Sequence, residues 1–390
     1  MPAFLDDVEL LRRLVAFDSV SSNSNLPIAD FISDYLDRPG IRIRRNPSSD
    51  GTKTNLVIET AAAGDPAARD GLMLSGHMDV VPAQEPEWQS DPFTVTERDD
   101  HLVGRGTADM KGFLALAMNR MGAAAGRKDL RRPLALFFTY DEELGTLGAQ
   151  RFVESWPDPG ALPRHVIIGE PTALRAVRTH KGHLKLRLSF HGATAHSGYP
   201  HLGRNAIEPA ARAIVALAAL RDQLARERPP GAENFPQVPF VALNVGQVEG
   251  GVAVNVVPDF CRVTVGLRVL PGMHSQDLVD RVRAAVAAAL PGEPFELEVQ
   301  GDSPPFLVGE DRPVWREVAG EVGQRESRSV AFATDAGWLQ TAGFDCVIFG
   351  PGNIETAHKP NEWMPVGEFQ AAGRHLDHLI HRFCVETRSP

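Results

Sequence analysis

Four short apolar runs in this sequence each lead to residues that can bind a metal ion, and they constrain the fold more than any other feature. The runs at 72–74, 134–139, 166–168 and 346–349 have the length and composition of buried β-strands. Open α/β sheets bind ligands at the carboxyl ends of parallel strands, so the residues after these runs are predicted to meet. The sequence therefore predicts an α/β fold in which these runs lie in an open parallel sheet.

The first run leads to His77 and Asp79. One imidazole nitrogen of His77 could bind a cation, while the Asp79 carboxylate could fix the tautomer through the other nitrogen. Asp109 stands just before a helix-like run at 110–121, and a carboxylate there can bridge two cations. Each fragment alone is more often structural, as a hydrogen-bonded histidine or a helix N-cap. The two fragments support a metal site because the same arrangement, a strand followed by a possible ligand, recurs further along the chain.

The second run continues into Tyr140, Asp141, Glu142 and Glu143. Carboxylates crowded at a strand end repel one another, and burial raises their pKa values. A bound divalent cation would offset this electrostatic repulsion. Adjacent residues of an extended chain point apart, which lets one glutamate bind metal while its neighbour faces a water. A solvated turn before a helix is the structural alternative for this segment.

The third run leads to Glu170, and the fourth leads through a loop to His358. The candidate metal ligands are therefore His77, Asp109, Glu143, Glu170 and His358. Two neutral imidazoles and three carboxylates carry a charge of −3, which two divalent cations and one hydroxide ion would balance. This mixture of donors favours two zinc ions, with cobalt or manganese as substitutes.

Composition narrows the classes of function. The 390 residues suffice for two domains, the apolar fraction of 43% is ordinary for a globular protein, and the formal charge of −10 argues against a nucleic-acid surface. Cys261, Cys346 and Cys384 lie far apart, in or beside apolar runs, which predicts buried thiols in a reducing cytoplasm. Residues 1–7 lack signal-peptide features, and no apolar run approaches the roughly 18 residues that cross a bilayer. We expect a soluble, cytoplasmic protein with no nucleic-acid or membrane partner.

The segment between Glu170 and the fourth run has a different pattern. Apolar and polar residues alternate at 184–190 and 263–269, as in half-buried antiparallel strands, and helical runs occupy 207–217 and 278–289. Further strands near 240–248 and 294–299 complete the order βαββαβ. We therefore expect residues 179–300 to form an inserted domain, with 1–178 and 301–390 as the two halves of the catalytic domain.

Several segments together resemble the M20 family of di-zinc amidohydrolases and peptidases. They are SGHMDVVP, GRGTADMKG, the acidic triplet that ends at Glu143, GEP at Glu170 and GPGNIETAHKP at His358. The match keeps its order from near residue 5 to near residue 385. The resemblance implies a zinc-aminopeptidase-like α/β catalytic domain, with a mixed, mostly parallel sheet between helices. It also implies an inserted ferredoxin-like lid through which the chain forms a homodimer.

The resemblance also assigns roles to the candidate residues. Asp109 would bridge the two metal ions, with His77 and Glu170 completing one position and Glu143 and His358 completing the other. Glu142 would be the general base, and the peptide bond after Asp109 would be cis. Asp79 is counted among the catalytic residues because of its expected contact with His77.

Three inserted-domain residues match family positions as well. His196 would hydrogen-bond the oxyanion of the transition state, commonly from the partner subunit, although a histidine in such a turn is more often merely exposed. Arg268 would bind the α-carboxylate of the substrate through its planar guanidinium, although an exposed strand arginine is the ordinary interpretation. Asn255 is a further candidate for substrate binding.

Within the family, 350–362 and 267–273 look most like acetylornithine deacetylases, whereas 199–205 is closer to the desuccinylases. Asp335 stands where the acetylornithine enzymes tend to have glutamate. The expected reaction is hydrolysis of an N-acyl amino acid, first of all N2-acetyl-L-ornithine in arginine biosynthesis. A succinyl-diaminopimelate desuccinylase, or a broader aminoacylase or carboxypeptidase, is the alternative.

Other classes of protein lack support in the sequence. The motifs G-x-S-x-G, G-x-x-x-x-G-K-[ST] and H-E-x-x-H are absent, which argues against a serine hydrolase, a P-loop enzyme and a zincin. A catalytically inactive binding homologue would usually lack a ligand or the base. This sequence carries all six residues, so an enzyme is expected.

Overall fold

A computed structural model describes residues 4–60 and 69–386, which form two compact units. The strands, in chain order, are β1 (Ile41–Pro47), β2 (Thr54–Thr60), β3 (Leu72–His77), β4 (Thr96–Arg98), β5 (His101–Val103), β6 (Leu134–Thr139), β7 (His165–Ile168), β8 (Thr179–His180), β9 (Gly182–His191), β10 (Ala195–His196), β11 (Ala242–Gly250), β12 (Val256–Val257), β13 (Phe260–Val269), β14 (Glu296–Ser303), β15 (Phe306–Leu307), β16 (Ser329–Val330), β17 (Asp345–Ile348) and β18 (Trp363–Pro365). The α-helices are α1 (Asp7–Val15), α2 (Leu26–Leu36), α3 (Gly112–Ala124), α4 (Leu147–Ser155), α5 (Ile207–Leu224), α6 (Ser275–Ala289), α7 (Pro313–Glu321), α8 (Ala336–Thr341) and α9 (Val366–Ile380).

The first unit is built on a six-stranded sheet in the order β1-β2-β6-β3-β7-β17. The pairs β1/β2 and β2/β6 are antiparallel, whereas β6, β3, β7 and β17 run parallel to one another. Every residue of β2, β3, β6, β7 and β17 is buried, as expected for a sheet that is covered on both faces. The predicted α/β class with a mixed, mostly parallel sheet is confirmed.

The four apolar runs of the sequence are the four parallel strands. Their register aligns His77 of β3 with Thr139 of β6, and Ser75 of β3 with Ile168 of β7. Ile348 of β17 is in turn the partner of Ile168. The carboxyl ends of the strands therefore lie side by side, and the loops that follow them share one edge of the sheet.

The second unit is a four-stranded antiparallel sheet in the order β11-β13-β9-β14, with α5 and α6 packed against it. Along β13, buried residues alternate with partly exposed ones over the whole strand. The buried side chains of β9 and β13 join those of both helices in one core, which places α5 and α6 on the same face of the sheet. The chain order β9-α5-β11-β13-α6-β14 is the βαββαβ order that the alternation indicates.

The boundary between the units differs in detail from the expected one. The second unit comprises residues 179–307 and 329–333, so the chain leaves it at 307 rather than at 300, and briefly returns. The reason is a small sheet in which β15 and β16 both pair with β8. Strands of two residues carry no periodic signal in the sequence.

Three further expectations concern the cysteines, membrane-spanning helices and the amino-terminal segment. Cys261, Cys346 and Cys384 are all buried. Across the described ranges, no helix is both long enough and apolar enough to cross a membrane. The amino-terminal segment that lacks a signal-peptide pattern lies partly outside the described residues, because the structure begins at Phe4.

Candidate active site

The loops at the carboxyl edge of the first-unit sheet bring the five candidate ligands together. Two groups of potential metal-binding atoms form there, each with all its atoms within 4.8 Å of one another. One group consists of His77, Asp109 and Glu170, and the other of Asp109, Glu143 and His358. Asp109 belongs to both groups.

The two oxygens of Asp109 face different histidines. Its Oδ1 lies 2.9 Å from Nε2 of His77, and its Oδ2 lies 3.1 Å from Nε2 of His358. His358 Nε2 is also 2.9 Å from Oε1 of Glu143, and His77 Nε2 is 4.0 Å from Oε1 of Glu170. A carboxylate with one oxygen in each group has the geometry of a bridge between two cations.

The turn that carries Asp109 is not the helix N-cap that the sequence also allowed. The residue before α3 is Lys111, and its side chain makes no capping hydrogen bond. Asp109 instead has non-helical dihedral angles, φ −124° and ψ 91°, within the short irregular turn Thr107–Lys111. The peptide bond between Asp109 and Met110 is cis, as the resemblance implies.

His77 is held in one tautomer, but by a different group from the one expected. Its Nδ1 donates a hydrogen bond to the backbone carbonyl of Asp79 at 2.9 Å, whereas the Asp79 carboxylate is 3.7 Å away. Because a carbonyl can only accept, Nδ1 carries a proton, which leaves Nε2 as the nitrogen that a metal ion would bind.

The Asp79 carboxylate turns instead toward the segment after β6. Its Oδ1 accepts the N–H of Glu142 at 3.2 Å, and its Oδ2 accepts the N–H of Glu143 at 3.3 Å and the hydroxyl of Ser21 at 2.7 Å. Asp79 therefore orients the backbone of the candidate base and of its neighbouring ligand, in place of the predicted contact with the imidazole. Sequence spacing alone cannot distinguish these contacts, since the carbonyl and the carboxylate belong to the same residue.

The electrostatics of the group are dominated by crowded acids. Burial raises the pKa of Glu142 well above its ordinary value, and the charge of Glu170 adds to the effect. Burial likewise raises the pKa of Glu143 and, strongly, that of Glu170, with the charge of Asp109 as the next cause in both. Among the described residues, burial and neighbouring acids therefore disfavour the charged form of all three carboxyl groups.

The histidines are shifted toward the charged form by the same acids. Hydrogen bonds with Asp109 and Glu143 raise the pKa of His358 to about 10. Burial alone would lower the pKa of His77, but the hydrogen bond with Asp109 and the nearby carboxylates raise it well above its usual range. A metal ion at the same nitrogens would compete with the proton that these acids favour.

The donor set fits divalent metal ions. Zinc binds histidine nitrogen and carboxylate oxygen at about 2.0–2.2 Å, which sets neighbouring donor atoms roughly 3–3.5 Å apart. The four contacts among the donor atoms span 2.9 to 4.0 Å and therefore bracket this range. Two imidazoles and three carboxylates also match the preferences of zinc, cobalt and manganese.

The second-unit candidates fall at opposite ends of its sheet. His196 and Asn255 are exposed beyond the end where β9 and β13 pair through His191 and Phe260. The strand pair β10/β12 and the bond from Ser197 N–H to the Asn255 carbonyl join their two loops. Arg268 lies at the other end of β13, so the three residues do not form one cluster within a single copy of this unit.

Arg268 lies among other cations on the polar face of that sheet. It is the register partner of His183 on β9, and burial lowers its pKa. Burial and the charge of Arg268 lower the pKa of Lys181 to about 8 and that of His183 to about 4. Lys181 donates to the carbonyls of Val238 and Phe240. Within the described part of the chain, burial is the cause of the lowered pKa of Arg268, and no carboxylate contributes to its shift.

Two further buried acids, Asp335 and Glu362, were not predicted to belong to the site, although Asp335 stands at a position where related sequences differ. Asp335 accepts the Thr139 hydroxyl at 2.7 Å, and among the described residues nothing hydrogen-bonds its other oxygen. Burial raises its pKa to about 6. Glu362 accepts the backbone N–H groups of Ala108 and Asp109. Glu362 lies four residues after His358 in the sequence. This spacing places it near a candidate ligand but does not predict its contact with the backbone of Asp109.

Comparison with known proteins gives a consistent result. A model of the peptidase family M20/M25/M40 matches residues 73–382. Acetylornithine deacetylase of Proteus mirabilis (strain HI4320) is 32% identical over 400 residues, covering 100% of this chain and 99% of that protein. Acetylornithine deacetylase of Edwardsiella ictaluri (strain 93-146) is 34% identical, covering 98% of each. The fold resembles that of the M20 metallo-carboxypeptidase Sso-CP2 from Sulfolobus solfataricus, with a TM-score of 0.78 at 17% identity over 97% of this chain and 99% of that one.

Proposed function

The chain belongs to the peptidase family M20/M25/M40 and is a metal-using hydrolase; on this premise, we propose that it uses two zinc ions to hydrolyse the amide bond of an N-acyl amino acid. The observation that carries the proposal is the position of Asp109, whose two oxygens each face a separate group of donors. Cobalt or manganese would be able to replace zinc at these ligands.

Each candidate residue has a task in this reaction. Two bound metal ions would activate a water molecule and polarise the amide carbonyl. Glu142 belongs to neither ligand group, and its side chain is shifted toward the protonated state by its surroundings. It would accept the proton of the attacking water and return it to the nitrogen of the leaving amine. Asp79 holds the backbone N–H of Glu142 and so keeps the base beside the ligands.

N2-acetyl-L-ornithine is the proposed substrate, with ornithine and acetate as products. The two relatives that match nearly the whole chain carry the name acetylornithine deacetylase, which supports this choice. An N-acyl amino acid also presents an α-carboxylate, and the half-buried Arg268 is a suitable partner for it. The pathway would be arginine biosynthesis.

A homodimer is the proposed assembly, with His196 acting on the substrate of the partner copy. Arg268 lies eight residue steps along β13 from Phe260, or roughly 26 Å at the rise of a strand. His196 lies beyond the Phe260 end of the sheet. One N-acyl amino acid is far shorter than this separation. The two side chains can therefore serve one substrate only if they come from different copies.

Two measurements test the proposal. Elemental analysis of the purified chain is expected to give about two zinc ions per copy, whereas a stable metal-free protein would favour a binding homologue. Release of amine from N2-acetyl-L-ornithine, N-succinyl-diaminopimelate and N-acetylmethionine should then be compared at equal concentration. The highest kcat/KM is expected for acetylornithine. A clear preference for the succinylated compound would identify a desuccinylase, and a preference for acetylmethionine would identify a broader aminoacylase.

A further inference from the structure

A buried ion pair lies against the candidate ligands without belonging to them. Nη1 of Arg105 and Oε2 of Glu362 are 2.9 Å apart, and each side chain is only 1% exposed. The two residues are 257 positions apart in the sequence. The pair joins the turn that carries Asp109 to the loop that carries His358.

The second oxygen of Glu362 holds the backbone of the bridging ligand. Its Oε1 accepts the N–H of Ala108 and the N–H of Asp109, both at 3.0 Å. One carboxylate oxygen therefore fixes two consecutive peptide groups immediately before the Asp109 side chain. The position of that side chain depends on this contact, because its own turn is irregular.

The guanidinium of Arg105 reaches two more segments. Its Nη1 donates to the carbonyl of Lys359 at 3.3 Å, and its Nη2 donates to the carbonyl of Pro82 at 2.9 Å. Lys359 directly follows His358, so the same ion pair fixes the backbone beside both the bridging aspartate and this histidine. A planar guanidinium is suited to such divergent contacts, whereas an ammonium group is not.

The two candidate metal positions depend on these contacts to different degrees. His77 is oriented independently by its own bond to the Asp79 carbonyl. The side chain of His358 is 47% exposed, and in the described part of the chain its ring contacts only Asp109 and Glu143 as hydrogen-bond partners. Its orientation therefore relies on the backbone of its loop.

We propose that Arg105 and Glu362 form a positioning pair for the metal position of Asp109, Glu143 and His358, and that they affect it more than the position of His77 and Glu170. The inference rests on the proposed two-metal function. Groups that orient metal ligands from outside typically change metal affinity about 10- to 100-fold when they are replaced. The effect is expected at one of the two positions, because only one of them uses His358.

Zinc titration of Glu362→Gln tests this role without reference to a substrate. Full-length wild-type and variant chains are stripped with a chelator and titrated with buffered zinc, and bound metal is counted by elemental analysis. Wild type is expected to bind two zinc ions. Glu362→Gln is expected to keep one at wild-type affinity and to bind the second about 10- to 100-fold more weakly. Its activity should return when zinc or cobalt is added in excess, which a misfolded protein would not show.

Glu85→Gln is the matched control, because Glu85 lies 3.7 Å from Arg105 but is far more exposed. Among the described residues, its carboxylate accepts a hydrogen bond from Trp88 and none from the turn of Asp109 or the loop of His358. It should bind both zinc ions as wild type does. If Glu362→Gln does not fold, Glu362→Asp replaces it, since its shorter carboxylate draws back from the two N–H groups and should cause the same selective loss.

Two results would overturn the inference alone: two zinc ions bound by the Glu362 variant at wild-type affinity, or equal weakening of both. A wild-type chain that binds no zinc would instead overturn the proposed function, and the inference with it.

Discussion

The two units of this chain each hold a cluster of like charges, and the clusters have opposite signs. At the carboxyl edge of the first-unit sheet, burial raises the pKa values of Glu142, Glu143 and Glu170. On the polar face of the second-unit sheet, burial lowers the pKa values of Lys181 and Arg268. In both places the folded chain keeps charged groups where their charged forms are disfavoured.

The difference between the clusters indicates what each could bind. The acids are interleaved with two histidines that present a nitrogen toward Asp109, so the first cluster offers the mixed donors of a metal centre. The second cluster contains only cations, and the bonds of Lys181 go to backbone carbonyls. Burial of like charges is tolerated at functional sites because a ligand of opposite charge removes the cost. We therefore expect cations at the first cluster and a carboxylate at the second.

The largest effect is expected from the one acid of the first cluster that belongs to neither ligand group. Glu142→Gln should lower kcat by about 10²–10⁴-fold, because it removes a general base. The variant should retain the metal content of the wild type, since Glu142 is not a candidate ligand. Steady-state kinetics and elemental analysis measure both quantities.

Glu154→Gln on α4 provides the control for this experiment, because Glu154 is exposed and hydrogen-bonds Gln150. It should leave kcat unchanged. A Glu142→Gln enzyme with near-native kcat would refute the assignment of the base. Loss of metal in that variant would make Glu142 a ligand instead.

Metal removal is expected to destabilise the first unit and to leave the second unit unchanged. One bound metal ion stabilises the folded chain by about 2.7 kcal/mol when the free metal concentration is 100 times its Kd. At a concentration 1,000 times the Kd, the stabilisation is about 4.1 kcal/mol. Chelation should therefore lower the free energy of unfolding by about 2.7–4.1 kcal/mol for each metal ion removed, and it should abolish activity. Hydrogen exchange should show lost protection in β3, β6 and β7, the strands that lead to the ligands.

The second unit provides the comparison for metal removal, because neither ligand group includes any of its residues. Amides of β9 and β13 should keep their protection after chelation. Equal loss of protection in both units would mean that the metal acts on the whole chain and not on the acidic cluster.

The cationic cluster should affect substrate binding rather than metal content. Arg268→Ala should lower kcat/KM about 10- to 100-fold, mostly through KM, because a hydrogen bond to a charged group contributes about 1.5–3 kcal/mol. Arg262→Ala is the matched control on the same strand, since Arg262 already pairs with Glu249 at 3.5 Å. Equal effects of the two substitutions would leave Arg268 with no special role in recognising the carboxylate.

The features that were predictable from the sequence are those encoded by short stretches of chain. A buried strand followed by a ligand residue is a local pattern, and it occurs four times, at β3, β6, β7 and β17. The alternation along β9 and β13 likewise reflects a sheet with one buried face. Parallel pairing then brings the strand ends together without further information.

The features that the sequence did not reveal depend on contacts between distant segments. The pairing of Arg105 with Glu362 spans 257 positions, and neither residue lies in a periodic pattern. The contact of His77 with the Asp79 carbonyl, in place of its carboxylate, depends on the folded path of the backbone. The chain leaves the second unit at residue 307, later than the expected residue 300, and this was not predicted because β15 and β16 have two residues each.

The smallest expected effect is a pH dependence of stability caused by the cationic cluster. Burial, Arg268 and Lys185 lower the pKa of folded His183 to about 4 from its ordinary 6.5. Between these values the unfolded chain binds a proton that the folded chain does not, so the free energy of unfolding falls as the pH decreases from 6.5 to 4. His183→Gln should flatten this slope in urea unfolding followed across the window. His191→Gln, at the exposed far end of β9, is the control and should keep it. An unchanged slope in His183→Gln, or equal flattening in both variants, would mean that the polar face of this sheet does not disfavour a further positive charge, and the contrast with the acidic cluster would fail.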